Sequence, residues 1–212
     1  MPSLRVNKNR LAIKKLLANL EEDPTDELRP TTKSPKKRNR DQATRLVGTK
    51  ETARRMQKRG IAVLAIKPPQ KGSPASGKAP ATRHGVKDAT EDHWAFLKQI
   101  EGFRSVNLAV ATGRASNLLC LDVGPRHGGE GTMKKLIKQL GSLPSTWQSQ
   151  TGGGGKHIFF QYPADDVRSD TRGKLLGPGV DVLSDGSYAV IPPSKHRSGQ
   201  IYVWLPGGRP EC

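Results

Sequence analysis

After residue 48 the sequence alternates between short apolar runs of strand length and amphipathic stretches of helix length. This alternation limits the fold most, because side chains repeat every two residues in a strand and every 3.6 residues in a helix. The runs of strand length are IAVLAI (61–66), VNLAVAT (106–112), LLCLDV (118–123), KHIFFQY (156–162), GVDVL (179–183), YAVI (188–191) and QIYVW (200–204). We therefore expect an α+β domain over residues 49–207, with helices covering a mixed sheet, and a short tail over 208–212.

Three stretches of the same region predict helices. Their expected N-caps are Thr49, either Asp88 or Thr90, and Thr132. The expected inward-facing residues of the second and third helices are Trp94, Leu97, Ile100, Met133, Leu136, Ile137 and Leu140. The runs TWQSQT (146–151) and KHIFFQY, separated by glycines, predict a β-hairpin.

The first 48 residues have a different composition. Residues 9–20, NRLAIKKLLANL, carry one apolar stripe at helical spacing, which indicates a helix that packs on its own domain or on a partner. Residues 21–42 contain three prolines, many charges and few apolar side chains, so we predict a basic, largely disordered linker there.

The positive charge of the chain is large and uneven. The net charge is +17, and residues 1–60 hold 17 Lys and Arg against 7 Asp and Glu. Such a field favours a polyanion, either nucleic acid or an acidic membrane surface. We expect no membrane span, because the longest aliphatic run, residues 61–66, is far shorter than a span. We expect a cytoplasmic location from an N-terminus without a signal-peptide core.

The two cysteines, Cys120 in an apolar run and Cys212 at the last position, suit a reducing compartment. They form no CxxC pair, so no structural zinc is expected.

Four glycines, residues 152–155, precede Lys156 and His157. The phosphate loop G-x-x-x-x-G-K-[ST] is excluded, because Gln150 and His157 stand at its two ends. Two interpretations remain: a flexible hairpin turn, or a turn whose backbone approaches a phosphate while Lys156 and His157 supply charge and a donor. Neighbouring strand residues point to opposite faces, so at most one of the two faces the site, and His157 could equally be a buried structural histidine.

Asp122 and Asp181 each end or interrupt an apolar run. A buried carboxylate costs several kcal/mol unless a cation or several donors meet it. Each could cap a neighbouring loop, but the two together favour a shared divalent ion. Oxygen ligands in basic surroundings predict Mg²⁺ or Mn²⁺ holding a nucleoside triphosphate.

Several motifs in one order carry a resemblance. The segments are NLAVATG, LDVGPRHGGEGT, TGGGGKHIFF, KLLGPGVDVLSDGSYAVIPPSKHRSG and YVWLPG. From about residue 50 to residue 207 the chain resembles the N-terminal catalytic domain of bifunctional DNA primase/polymerases, the prim-pol branch of the archaeo-eukaryotic primase superfamily. The resemblance implies an RRM-like catalytic core joined to a smaller α/β module, and template-directed addition of nucleotides, including starting a chain without a primer.

The resemblance also implies roles for particular residues. Asp122 matches the first acid of the family's D-x-D metal motif, and Asp181 matches a further metal-binding aspartate. His157 matches a histidine that contacts the incoming triphosphate, with Lys156 beside it in the motif. Lys174 is a further candidate for phosphate contact.

Gly124 departs from the family pattern, because it stands where the D-x-D motif has its second acid. Residues 122 and 124 share a strand face, so the two-metal arrangement lacks one carboxylate. We therefore expect either an active DNA primase/polymerase of a plasmid, phage or integrated element, or a weakened homologue that binds nucleotide and DNA without synthesis. A basic single-strand-binding protein fits less well, because aromatic side chains are scarce.

The expected partners are a DNA template, nucleoside triphosphates and a replicative helicase, with no membrane. The chain ends soon after its last predicted strand, so we expect a helicase to come from a separate partner or from a longer form of the gene.

Overall fold

The computed structural model describes residues 38–70, 73 and 77–208. The predicted helix at 9–20 and most of the predicted linker lie outside the described residues. The helices are α1 (Arg38–Gln57), α2 (His93–Gln99) and α3 (Gly129–Leu140). The strands are β1 (Val63–Ile66), β2 (Asn107–Ala111), β3 (Leu118–Val123), β4 (Gln148–Gln150), β5 (Lys156–Gln161), β6 (Val180–Leu183), β7 (Tyr188–Ile191) and β8 (Val203–Trp204). The predicted α+β class is confirmed.

The strands form two sheets. The small sheet has the order β1-β2-β7, and the large sheet has the order β6-β3-β5-β4-β8. Every pair of neighbouring strands in the described chain is antiparallel. The prediction of one mixed sheet was therefore wrong. Helix α3 does return the chain in the direction of β3, but the hairpin strand β5 lies between β3 and β4, so no parallel pair forms.

The predicted helices are present, but their starts differ from the predictions. Helix α1 begins at Arg38, after the last linker proline, so Thr49 is a buried residue within the helix. Helix α2 is capped by Asp92, whose side chain accepts a hydrogen bond from the Ala95 N–H at 2.7 Å. Helix α3 begins at Gly129, and the Thr132 hydroxyl instead donates to the Pro178 carbonyl at 2.7 Å.

The set of inward-facing side chains on α2 and α3 also differs from the prediction. Trp94 is 76% exposed, because α2 buries Phe96 and Ile100 and packs Leu97 against them. On α3, Met133 and Leu136 are buried as predicted, whereas Ile137 is exposed.

The large sheet has two faces with different partners. One face packs against α3 through Leu119, Leu121 and Val123 of β3. The other face packs through Leu118 and Cys120 against α1, α2 and the small sheet. Because residues alternate along a strand, Asp122 belongs to this second face. The fold thus directs the acidic residue of β3 away from α3 and toward the small sheet.

Candidate functional site

Asp122, His157 and Asp181 lie side by side on three neighbouring strands. In the register of the large sheet, Asp122 of β3 is opposite His157 of β5 on one side and opposite Asp181 of β6 on the other. Directly opposed residues point to the same face of a sheet. The structure therefore brings together the three residues that the sequence predicted as one site.

Asp122 and His157 form the closest contact of this row. Nε2 of His157 is 3.6 Å from Oδ2 of Asp122, and the histidine side chain is 5% exposed against 28% for the aspartate. Burial by itself raises the pKa of Asp122, but the contact with His157 and the charges of His157 and Lys78 hold it below its ordinary value. Asp122 is therefore ionised at neutral pH.

Asp181 has the opposite electrostatic surroundings. Its pKa is raised, first by burial and then by the charges of Asp122 and Asp170, against the lowering effect of His127 and Lys78. A bound cation would relieve the repulsion that Asp122 and Asp170 exert on the ionised form of Asp181. The site is thus negative at its centre.

A cavity of about 580 Å³ opens in front of the two carboxylates. Asp122 and Asp181 line it together with a surrounding set of basic side chains. These are Lys78, Arg126, His127, Arg172, His196 and Arg197. Tyr202 also lines the cavity, and burial together with the charge of Asp122 raises its pKa to about 12, so the phenol keeps its proton. An acidic centre with a basic rim suits a ligand that combines a cation with an anion.

Gly124 lies at the edge of this cavity, directly after β3. Its N–H donates to the Gly179 carbonyl at 2.8 Å, and its backbone is extended, with φ −92° and ψ 117°. A Cβ on Gly124 would meet the nearest atom, the Gly179 oxygen, at an ordinary 3.7 Å. The position therefore accepts a Cβ without a collision.

The other two predicted phosphate contacts lie elsewhere. Lys156 is exposed and lines a separate pocket with Glu130, Met133 and Lys134, on the α3 side of the large sheet. Lys174 is exposed on the segment before β6. The structure brings neither side chain to the lining of the cavity, and their predicted roles stay predictions.

Two further acids, Glu130 and Asp185, follow β3 and β6 in the sequence. Glu130 lies in the Lys156 pocket, and Asp185 binds Arg114 at 3.2 Å and the Tyr162 hydroxyl at 3.0 Å. Neither lines the cavity in the described structure, so the two aspartates are its acidic residues there.

The glycine run forms a closed turn between β4 and β5. The Thr151 N–H donates to the Gly155 carbonyl at 2.8 Å, and the Gly155 N–H donates to the Thr151 hydroxyl at 3.0 Å. A Cβ on Gly155 would collide with the Val123 carbonyl, which explains a glycine next to β3. Thr151, Gly153 and Gly155 line the cavity, so the turn forms one of its walls.

Sequence reasoning did not predict the loops that carry much of the basic rim. Lys78 comes from a Pro/Gly/Lys loop, and His196 and Arg197 follow β7. The buried side chain of Asn107 connects these loops, because its amide donates to the Gly77 carbonyl at 2.9 Å and to the Lys195 carbonyl at 2.8 Å. Its oxygen accepts from the Lys195 N–H at 2.8 Å. The sequence did contain one indication of these contacts, because an asparagine inside the apolar run VNLAVAT is expected to be buried and hydrogen-bonded.

Replacing Asn107 with alanine should destabilise the protein by about 2–4 kcal/mol, since one buried and two partly buried hydrogen bonds disappear and their backbone partners lose them. The Asn107→Asp variant keeps the acceptor for the Lys195 N–H but turns a buried carboxylate oxygen toward the Gly77 and Lys195 carbonyls, so at neutral pH it should be destabilised at least as much. Urea unfolding of the parent, Asn107→Ala and Asn107→Asp measures their free energies of unfolding. Equal stability of parent and Asn107→Ala would contradict a clamping role for this side chain.

Among the described residues, no group of three or more His, Cys, Asp or Glu side chains forms a complete metal site. No helix in that part of the chain is long and apolar enough to cross a membrane.

Comparison with known proteins identifies the family to which the chain belongs. The family model described as bifunctional DNA primase/polymerase, N-terminal (Prim-Pol), matches residues 53–211, about three quarters of the chain. A comparison with curated proteins found no significant match. The match includes all strands of both sheets and the row of Asp122, His157 and Asp181. The chain therefore belongs to the Prim-Pol family and carries a domain of primase/polymerase type.

Proposed function

We propose that this domain is a DNA-templated nucleotidyltransferase whose cavity holds a nucleoside triphosphate together with one Mg²⁺ or Mn²⁺. The observation that carries the proposal is the placement of Asp122 beside Asp181, facing a cavity whose rim is basic. The carboxylates suit a divalent cation, and the rim suits a triphosphate.

The two aspartates fit one divalent cation. Their oxygens are the ligands that Mg²⁺ and Mn²⁺ prefer, and the raised pKa of Asp181 next to Asp122 marks a place where positive charge is favoured. Two carboxylates leave coordination positions for triphosphate oxygens and water. The ion would supply charge neutralisation at the reacting phosphoryl group.

The residues of the chain would then bind and orient the nucleotide. Lys78, Arg126 and Arg172 line the same cavity as the carboxylates and would neutralise the phosphates. His157 lies behind Asp122 at 3.6 Å and would keep that carboxylate ionised and in place.

We also infer that the large sheet corresponds to the RRM-like core that the resemblance implies. What supports this inference is the chain order β3, α3, β4, β5, β6 with β3 in the interior of the sheet. In the β-α-β-β-α-β arrangement a second helix would precede the last strand. Here residues 162–179 fill that place without a helix.

Gly124 supports a second candidate function, a Prim-Pol homologue that binds nucleotide and DNA without synthesis. The position next to Asp122 lacks an acid, and neither Glu130 nor Asp185 lines the cavity. A second cation would activate the attacking 3′ oxygen, but the described lining of the cavity contains no third carboxylate to bind it.

Primer extension on a DNA template, with Mg²⁺ or Mn²⁺ and the four deoxynucleotides, separates the two candidates. Extension by the parent that disappears in Asp122→Asn supports the transferase. Metal-dependent binding of deoxynucleotide without extension supports the binding module. Absence of both extension and nucleotide binding would contradict the two proposals together.

Replacing Asp181 with asparagine should stabilise the metal-free protein and weaken its binding of metal. Because the pKa of Asp181 is raised in the folded protein, its ionised form opposes folding at every pH above that pKa. The metal-free variant should therefore melt higher at neutral pH, by about 1–2 °C for each 0.5 kcal/mol gained. The rise in melting temperature that saturating Mn²⁺ gives to the parent should shrink or vanish in the variant.

Calorimetric melting with and without Mn²⁺ measures both effects, with Asp165→Asn as a control. Asp165 is an exposed aspartate outside the lining of the cavity. A full Mn²⁺ response in Asp181→Asn would remove this residue from the metal site.

The biological setting rests on the resemblance alone. We propose DNA replication of a plasmid, phage or integrated element, in the cytoplasm, with helicase activity supplied by a partner.

A further inference from the structure

The row of directly opposed polar residues in the large sheet continues beyond His157. Along the strand order β6-β3-β5-β4 the register aligns Asp181, Asp122, His157 and then Ser149 of β4. Directly opposed residues point to the same face of a sheet, with Cβ atoms about 4.5–5.5 Å apart. Ser149 is therefore the neighbour of His157 on the side away from Asp122.

Ser149 and His157 are both deeply buried. Ser149 is fully buried, and His157 is 4% exposed. The rings of Phe159 and Tyr202 pack near the imidazole, with centroids 6.1 Å and 6.0 Å from its own. In such surroundings a polar atom needs a hydrogen-bond partner inside the protein, because bulk water does not reach it.

Two buried side-chain polar atoms lack a hydrogen-bond partner in the described part of the chain, and both belong to this pair. They are Oγ of Ser149 and Nδ1 of His157. An unpaired buried donor or acceptor is costly, and native proteins rarely contain one. The serine hydroxyl turns about a single side-chain torsion, so Oγ can change its direction toward the opposed residue without movement of the backbone.

The two ring nitrogens of His157 have different surroundings. Nε2 faces Oδ2 of Asp122 at 3.6 Å. Asp122 is ionised, and an ionised carboxylate only accepts hydrogen bonds, so this contact favours a proton on Nε2. In the neutral ring Nδ1 is then a bare acceptor on the other side of the imidazole, and β4 lies on the other side of β5 from β3. Nδ1 therefore needs a donor from β4, and Ser149 carries one.

We propose that Ser149 donates a hydrogen bond from Oγ to Nδ1 of His157 and thereby holds the ring with its proton on Nε2. Ser149 lies outside the described lining of the cavity, so it acts through His157 as a positioning residue. The Nε2 proton is then available to Asp122 in the free protein and to a phosphate oxygen of a bound triphosphate. This inference rests on the proposed function and extends the row of site residues by one strand.

The protonation of the two ring nitrogens tests the bond without metal or nucleotide. Heteronuclear NMR of protein with isotope-labelled histidines, at a pH where the ring is neutral, distinguishes a protonated nitrogen from a bare one. It also distinguishes a bare nitrogen that accepts a hydrogen bond from one that does not. The parent should show a protonated Nε2 and a hydrogen-bonded Nδ1, and His157→Gln identifies these signals by their loss.

The Nδ1 signal should respond to the hydroxyl of residue 149. In Ser149→Ala it should move toward the position of a nitrogen without a donor. In Ser149→Thr, which keeps a hydroxyl, it should stay close to the parental position. Ser184→Ala is the matched control, because Ser184 is equally buried and donates to the Val167 carbonyl at 2.6 Å, outside the described lining of the cavity.

Nucleotide binding gives the functional readout. Ser149→Ala should bind a deoxynucleoside triphosphate with Mn²⁺ about three- to tenfold more weakly than the parent, as expected when one hydrogen bond between neutral groups is lost. Ser149→Thr should recover most of this affinity, and Ser184→Ala should bind as the parent does. Calorimetry measures the four affinities.

An Nδ1 signal in Ser149→Ala equal to the parental one would overturn the proposal while leaving the nucleotide cavity standing. A parental ring with its proton on Nδ1 would overturn it too, as would an equal displacement of the signal in Ser184→Ala. Parental nucleotide affinity in Ser149→Ala would overturn the positioning role. A parent that binds no deoxynucleotide with Mn²⁺ would contradict the proposed function, and the NMR signals would still decide whether Ser149 holds the ring.

Discussion

Replacing Gly124 with aspartate is expected to raise metal-dependent primer extension by orders of magnitude. The new carboxylate would share a face with Asp122 and supply the ligand that a second cation lacks. The backbone at Gly124 is extended and its Cβ position is free of collisions, so the substitution should fold. Placing the attacking 3′ oxygen contributes several kcal/mol to transition-state stabilisation, and each 1.4 kcal/mol changes a rate about tenfold.

The rate gain should be far larger than any change in triphosphate affinity, because the new carboxylate acts on the attacking group. Gly131→Asp is the matched control, since it adds an acid at an exposed glycine of α3 with open space around it, outside the cavity lining. A parent already as active as Gly124→Asp would mean that a second carboxylate is not needed. An inert variant that folds and binds nucleotide would favour the non-catalytic candidate.

Neutralising three cations on α1 and directly after it is expected to weaken DNA binding by about three orders of magnitude at 50 mM salt, if each contacts a phosphate. Lys50, Arg54 and Lys58 are exposed and spaced four residues apart, so they lie along one side of the helix. Helix α1 packs on the same side of the large sheet as Asp122. Arg55 is less available because it pairs with Glu51 at 3.0 Å.

The salt dependence of DNA affinity identifies such phosphate contacts. The slope of log affinity for duplex DNA against log salt concentration should become shallower in the Lys50→Gln, Arg54→Gln, Lys58→Gln variant. The expected change is about 0.9 for each phosphate that the variant no longer neutralises. The control removes the same charge from exposed cations of α3, Lys134, Lys135 and Lys138. Equal slopes in the two triple variants would show an effect of net charge alone and would contradict the assignment of the phosphate contacts to α1.

The sequence predicted the elements well because their patterns are local. Strands such as IAVLAI and LLCLDV were found from apolar runs, and the hairpin of β4 and β5 from the glycines between two runs. The starts of the helices were less predictable, because a competing cap a few residues away, Asp92 rather than Asp88 or Thr90, makes an equally local hydrogen bond. The exposure of Trp94 was not predictable either, because it depends on which face of α2 packs against the rest of the domain.

The motifs of the sequence also determined the family and the identity of the acidic pair. Asp122 and Asp181 were recognisable because a carboxylate in an apolar strand needs a compensating partner. The gap at Gly124 was recognisable because strand residues two apart share a face. These inferences need no knowledge of which strands are neighbours.

Tertiary structure alone decided what surrounds that pair. The antiparallel register put His157 behind Asp122 and turned Lys156 to the α3 side of the sheet. The side chain of Asn107 brought the loops of Lys78 and His196 to one cavity, although they are more than a hundred residues apart in sequence. Such contacts depend on loop paths and strand order, which arise from packing of the whole domain rather than from any local pattern.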